Sequence, residues 1–304
     1  MTAKLIDAHN DTASRLFWEK ESLLENSFHV DLKKQTFFSS LLVYAFFMDP
    51  EKTVGFSSPL SYFDVLYDNF VKELQKNENT IKITMHAENL LRSDKQLAML
   101  SVEGGSLIES VETLDYLWEK QIKILTLTWN DSNRLATSAV SNDAGGLTKF
   151  GHQVLTRMNE IGMLADLSHA SDQTFWDVLE HTKKPVLVSH SNARALCFHP
   201  RNITDNMFRA LMENGGVLGI NFYPPFLGEN ATMETIFSHI EHFLNLGGEN
   251  HIGFGADFDG VNCLPKGITD FSSFSDIINE MERRNYTTDL VEKICYKNMM
   301  RIVK

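Results

Sequence analysis

Residues 163–191 read MLADLSHASDQTFWDVLEHTKKPVLVSHS. Two short apolar runs, Met163–Leu167 and Val186–Ser189, bracket a segment, Asp172–His181, that carries Phe175, Val178 and Leu179 at helical spacings of three and four. Val186-Leu187-Val188 is continuously apolar rather than alternating, as in a strand covered on both faces. Strand, helix, strand in this order is a parallel β/α/β unit. Both strands end on the same dipeptide, Ser168-His169 and Ser189-His190.

The same alternation extends in both directions. Further apolar runs are Leu5–Ala8, Ser40–Phe47, Leu97–Val102, Ile122–Thr128, Val217–Phe222 and His251–Ala256. Amphipathic helical patterns cover Pro59–Lys76, Thr148–Ile161, Asp205–Glu213, Thr232–Leu246 and Phe274–Arg284. Eight runs without a linker, repeat or low-complexity tract predict one (β/α)₈ TIM barrel over residues 1–304. A doubly wound sheet would place a glycine-rich turn after the first strand, where this chain has His-Asn-Asp.

Barrel chemistry sits at the C-terminal ends of the strands. The first run ends in Asp7-Ala8-His9-Asn10-Asp11, and positions i and i+2 of a strand share a face, so His9 and Asp11 can meet one cation. Asp11 can equally cap the next helix. The third run ends in Glu103-Gly104-Gly105, a carboxylate backed by residues that allow a tight turn. His169 and His190 end the fifth and sixth runs, and Asp257 leaves the eighth. Six N and O donors exceed one tetrahedral zinc. Two metals bridged by a carboxylate use them better: His9, Asp11 and Glu103 on one, Glu103, His169 and His190 on the other. Water between two such ions loses its proton near neutral pH and becomes a nucleophile. The other eight histidines read as surface or packing residues.

Composition limits the alternatives. Hydrophobic residues make up 43% and charged residues 22% of 304, which excludes a disordered chain or a coiled coil. Lys plus Arg number 28 against 40 Asp plus Glu, so the net charge of −12 disfavours nucleic-acid partners. Without a run of 18 apolar residues no membrane span is expected. The N-terminal MTAKLIDA does not read as a secretion signal, and Cys197, Cys263 and Cys295 match neither a zinc knuckle nor a disulfide framework. The expectation is a cytoplasmic protein with idle thiols.

The set of motifs resembles the membrane (renal) dipeptidase-type metallopeptidases, part of the metal-dependent amidohydrolase-like barrel enzymes. The resemblance rests on Ile6–Asp11, Ser101–Gly105, Gly146–Gly151, Gly162–Ser171, Val188–Asn202, Val217–Tyr223, His251–Gly260 and Asn298–Val303, nearly the whole chain. It implies two zinc ions on the five ligands above with Glu103 as the bridge, hydrolysis of dipeptides with free termini, and a homodimer. It also implies that Arg201 holds the substrate carboxylate and that Asp257 serves catalysis near the substrate amino group. Some members accept a D-residue at the second position or open β-lactams. Members often carry a His after the fourth strand that contacts the substrate carbonyl or oxyanion. This chain has Trp129-Asn130 there, so these two become the candidate substrate contacts. The competing readings are another binuclear amidohydrolase, acting on a cyclic amide, lactone or β-lactam, and a non-catalytic metal- or peptide-binding barrel. Many such amidohydrolases open with His-x-His and bridge their metals with a carbamylated Lys, where this chain has His-x-Asp and Glu103.

Overall fold

The structure, a computed structural model, describes residues 3–35 and 38–303. Its strands are β1 (Ala3–Asn10), β2 (Phe38–Phe47), β3 (Ile81–Ile83), β4 (Gln96–Glu103), β5 (Ile122–Thr126), β6 (Leu164–Asp166), β7 (Leu187–Ser191), β8 (Val217–Ile220) and β9 (Ile252–Phe254). All pairings in the sheet are parallel, and β2 pairs directly with β4 while β1 joins β2 to β9. Eight strands therefore close into a barrel in the order β1-β2-β4-β5-β6-β7-β8-β9. The ninth, β3, is a three-residue strand outside the closed ring and, among the described residues, pairs with β4 alone. It is too short for periodicity to reveal.

Eight helices of eight or more residues follow the strands among the described residues: α1 (Thr12–Glu19), α2 (Pro59–Lys76), α3 (Glu112–Glu119), α4 (Lys149–Ile161), α5 (Asp172–His181), α6 (Asp205–Asn214), α7 (Met233–Asn245) and α8 (Phe274–Arg283). The sequence reading missed α1 and α3, which are only two turns long. Helix starts are written locally. Ser58, with Pro59 at the first helical position, makes a capping box for α2, and the side chains of Thr148, Ser171 and Thr204 each accept the backbone N–H three residues on.

The apolar interior is split in two. Ile6, Ala8, Leu41, Val43, Leu97, Met99, Ile124, Leu164, Leu187 and Val217 form one buried cluster, one or two residues from each of seven strands, which fills the barrel. Met299 and Val303 from the C-terminal helical segment join it. The larger cluster lies between strands and helices; there Phe70 of α2 packs against Tyr44 at 4.8 Å between ring centres. Towards the C-terminal ends the buried side chains turn polar: Ser101, Glu103, Thr126, Asp166 and Ser189. No helix among the described residues is long and apolar enough to cross a membrane.

Packing on this pattern makes a contrast measurable. Phe70 is fully buried and Phe198 is 92% exposed. Phe70→Ala is expected to lower the unfolding free energy by about 3–5 kcal/mol, whereas Phe198→Ala stays within about 0.5 kcal/mol. Urea denaturation measures both, and equal effects would contradict the packing described.

Candidate metal centre

The register of β1 against β2 slips between Asp7 and Asn10, a bulge immediately ahead of the site, where it re-aims the side chains. His9 Nε2 then stands 3.4 Å from Asp11 Oδ2, 3.7 Å from Glu103 Oε2 and 4.0 Å from Asp257 Oδ1. Glu103 closes β4, and its other oxygen lies 2.9 Å from His169 Nε2 and 3.5 Å from His190 Nε2. The turn behind Glu103 runs through Gly104 at φ 93°, a conformation that favours glycine. His169 and Asp257 themselves adopt left-handed backbone, at φ 68° and 62°, at the ends of their strands. Such conformations are uncommon for residues with a Cβ and gather at functional sites.

Three donor groups result: His9, Asp11 and Glu103; Glu103, His169 and His190; and His9, His190 and Asp257. Within each group the candidate ligand atoms lie within 4.8 Å of one another. The first two share Glu103.

Hydrogen bonding around the imidazoles fixes where their protons are. Ser189 Oγ donates to Asp166 Oδ2 at 2.6 Å and so accepts from His190 Nδ1 at 2.8 Å. His169 Nδ1 donates to Asn130 Oδ1 at 3.1 Å. Both Nε2 atoms are thereby left as bare lone pairs, 3.0 Å apart, facing the same Glu103 oxygen. His9 Nε2 and Asp11 Oδ1 are buried without a hydrogen-bond partner. Acceptors converging on one point call for a positive charge between them, a proton or a metal cation. The N and O donor set fits a divalent transition metal.

The ionisation of the cluster follows the same excess of acceptors. Burial disfavours a charged His9, yet Glu103, Asp11 and Asp257 outweigh it and hold its imidazolium up to about 10. Burial pushes Glu103 well above the usual carboxylate range, with Asp11 and Asp257 adding to it. His169 and His190 fall well below the usual histidine range, first through burial; Arg201 follows for His169 and His9 for His190.

A cavity of about 470 Å³ opens beside the cluster. Asp11, Glu103, Trp129, Asn130, His169, Arg201 and Asp257 all line it, so the structure gathers most of the predicted site at one mouth. His9 and His190 are buried beneath it. Arg201 is 4% exposed, and its Nε and Nη2 have no partner. Burial lowers the guanidinium to about 10 despite the carboxylates of Asp257 and Glu103 nearby. Trp129 rests its ring on Phe47 at 4.7 Å and near His169 at 6.3 Å, an apolar wall beside that imidazole. Asn130 spends its carbonyl oxygen on His169.

The sequence reading missed the groups that hold these residues. Asp166 accepts from Ser168 N, Ser189 N, Thr126 Oγ1 and Ser189 Oγ. Asp259, two residues beyond Asp257, is buried and accepts from Thr12 Oγ1 at 2.5 Å and His29 N at 2.7 Å. Asn221 donates to Asp257 Oδ2 at 3.0 Å. Gly260 leaves room at the acids, because a Cβ there would stand 2.2 Å from Asp11 Oδ2. Of the other histidines, His239 is fully buried, taking a hydrogen bond from Ala193 N and reaching Leu227 O, which is a packing role.

A closed parallel barrel with clustered His, Asp and Glu donors at the C-terminal ends of its strands is the architecture of a metallohydrolase. The family model for membrane dipeptidase, peptidase family M19, matches residues 1–304, and the chain belongs to that family. It is a metallo-dipeptidase. An uncharacterised dipeptidase of Schizosaccharomyces pombe is 33% identical over 339 residues, covering 99% of this chain and 80% of the relative. The crystal structure of a metallopeptidase called dipeptidase AC superposes with TM-score 0.89 at 23% identity, over 100% of this chain and 98% of that one. A metallopeptidase from Rhodobacter sphaeroides gives TM-score 0.89 at 22% identity, over 100% and 99%.

The hydrogen bonds behind the imidazoles carry a prediction. Ser189→Ala removes the acceptor for His190 Nδ1–H and is expected to weaken metal binding about 10- to 100-fold. Competition with a chromophoric chelator measures this on folded protein, and unchanged affinity would contradict the tautomer assignment.

Proposed function

We propose that this chain, acting as one catalytic barrel domain, hydrolyses dipeptides with free termini at a binuclear zinc centre held by His9, Asp11, Glu103, His169 and His190. The observation that carries the reading is the sharing of Glu103 between two donor groups, one on each of its oxygens. Two ions bound there would polarise the scissile carbonyl, stabilise its developing oxyanion and bring water to nucleophilic form near neutral pH.

The chain's own side chains supply orientation. Arg201 presents buried, unpartnered N–H groups in a fork, and a carboxylate is the anion that satisfies two of them at once. The free C-terminus of a dipeptide meets that need. Asp257 has one oxygen fixed by Asn221, which leaves Oδ1 to receive the substrate ammonium. Burial raises Asp257 to about 6, within reach of a proton transfer to the leaving amine near neutral pH. Trp129 and Phe47 limit water along one side of the substrate. With the carboxylate clamped at Arg201, a cavity of about 470 Å³ admits a short peptide and leaves little room for a longer one.

The Rhodobacter sphaeroides metallopeptidase is liganded with a phosphinate mimic of L-Ala-D-Ala, which makes L-Ala-D-Ala the first substrate to try beside L-Ala-L-Ala. Purified zinc-replete protein is expected to cleave at least one of them. A protein that holds zinc yet cleaves neither would contradict the proposal. Arg201→Ala is expected to raise KM for a free dipeptide by roughly 30-fold or more, while KM for the C-terminally amidated peptide changes little. Equal losses on both substrates would remove the clamp.

A further inference from the structure

The cavity is lined by two cations that the proposed reaction does not use, Arg15 and Lys52. Lys52 lines the same cavity as Glu103, Arg201 and Asp257. It sits in the short helix Pro50–Thr53, which follows β2. Arg201 lies in the loop after β7. In the ring β1-β2-β4-β5-β6-β7-β8-β9, β2 and β7 are four strands apart, so the two loops face each other across the mouth.

Other charges on that wall are already matched. Arg15 bonds Glu19 at 2.7 Å and lays its guanidinium on the Phe28 ring at 4.0 Å. Asp259 is buried under hydrogen bonds from Thr12 and His29. Lys52 is half-exposed, stands over the Trp18 ring at 5.4 Å, and has Asp49 as its carboxylate neighbour at 4.0 Å, beyond hydrogen-bond distance, so among the described residues its N–H donors hold no acceptor on that wall. Asp49 meanwhile accepts from Glu51 N at 2.9 Å as the cap of the same helix. The Phe47 and Trp129 rings, 4.7 Å apart, line the same cavity as Lys52 and the donor cluster.

We propose that Lys52 selects dipeptides whose N-terminal residue carries an acidic side chain. This rests on the dipeptidase reading above. With the C-terminal carboxylate on Arg201 and the scissile bond over the donor cluster, the N-terminal residue is the part of the substrate nearest the opposite wall. A glutamyl side chain lays its methylenes along Phe47 and Trp129 and brings its carboxylate to Lys52 Nζ. A glutaminyl side chain of the same shape gains the apolar contact but not the charge. The ion pair is partly solvated, which keeps the preference moderate.

The test compares kcat/KM for L-Glu-L-Ala and L-Gln-L-Ala, with L-Ala-L-Ala as a third substrate, in wild type, Lys52→Met, Lys52→Arg and Lys52→Glu. Wild type is expected to favour Glu over Gln roughly fivefold. The ratio falls to about one in Lys52→Met, persists in Lys52→Arg and inverts in Lys52→Glu. Raising the salt concentration shrinks the wild-type ratio. Cleavage of Ala-Ala with no Glu preference in wild type overturns this inference alone, as does a ratio that survives Lys52→Met. Failure to cleave all three substrates overturns the dipeptidase reading and this inference with it.

Discussion

Burying carboxylates at the mouth of a barrel is costly unless each one is compensated, and the site is organised by how this is done. Asp166 is surrounded by four donors, two of them backbone N–H groups and two hydroxyls. Asp259 is held by Thr12 and His29, and Asp7 takes the backbone N–H of Ala256. These acids are fastened to the fold. Glu103 and Asp11 face imidazole nitrogens instead, and His169 and His190, beside Glu103 Oε1, have had their protons drawn away to the far side of the ring. The difference separates acids that build the site from acids that await a cation.

The fold makes that arrangement affordable. Apolar side chains fill the lower barrel, so the polar layer rests on a packed floor rather than on water. Short parallel strands stop at the level of the cluster, and the loops that follow supply Arg201, Trp129 and Lys52. Oxygen and nitrogen donors from five strands or strand ends meet within a few ångströms because the barrel is closed. An open sheet would spread the same residues along an edge.

Much of this was legible in the sequence, for a physical reason. A His or an acid at the end of a continuously apolar run has no nearby partner in the chain, so His9, Asp11, Glu103, His169 and His190 stood out together. The supporting groups did not. Ser189 looks like any small residue until Asp166, 23 positions earlier, is folded against it. Asn130 meets His169 across 39 residues, and Asp259 reaches His29 across 230. Sequence spacing carries no trace of such pairings. The short elements were hidden as well, since β3 has three residues and α1 and α3 only eight each, too few for a period to emerge.

A carboxylate shared between two donor groups has one direct consequence, the number of metal ions needed for activity. Protein stripped with a chelator and titrated with zinc, its dipeptide hydrolysis followed at each addition, is expected to reach full activity at two equivalents per chain. Glu103→Ala is expected to leave that plateau unreached. Full activity at one equivalent, or undiminished activity in the stripped protein, would contradict a centre in which Glu103 joins two ions.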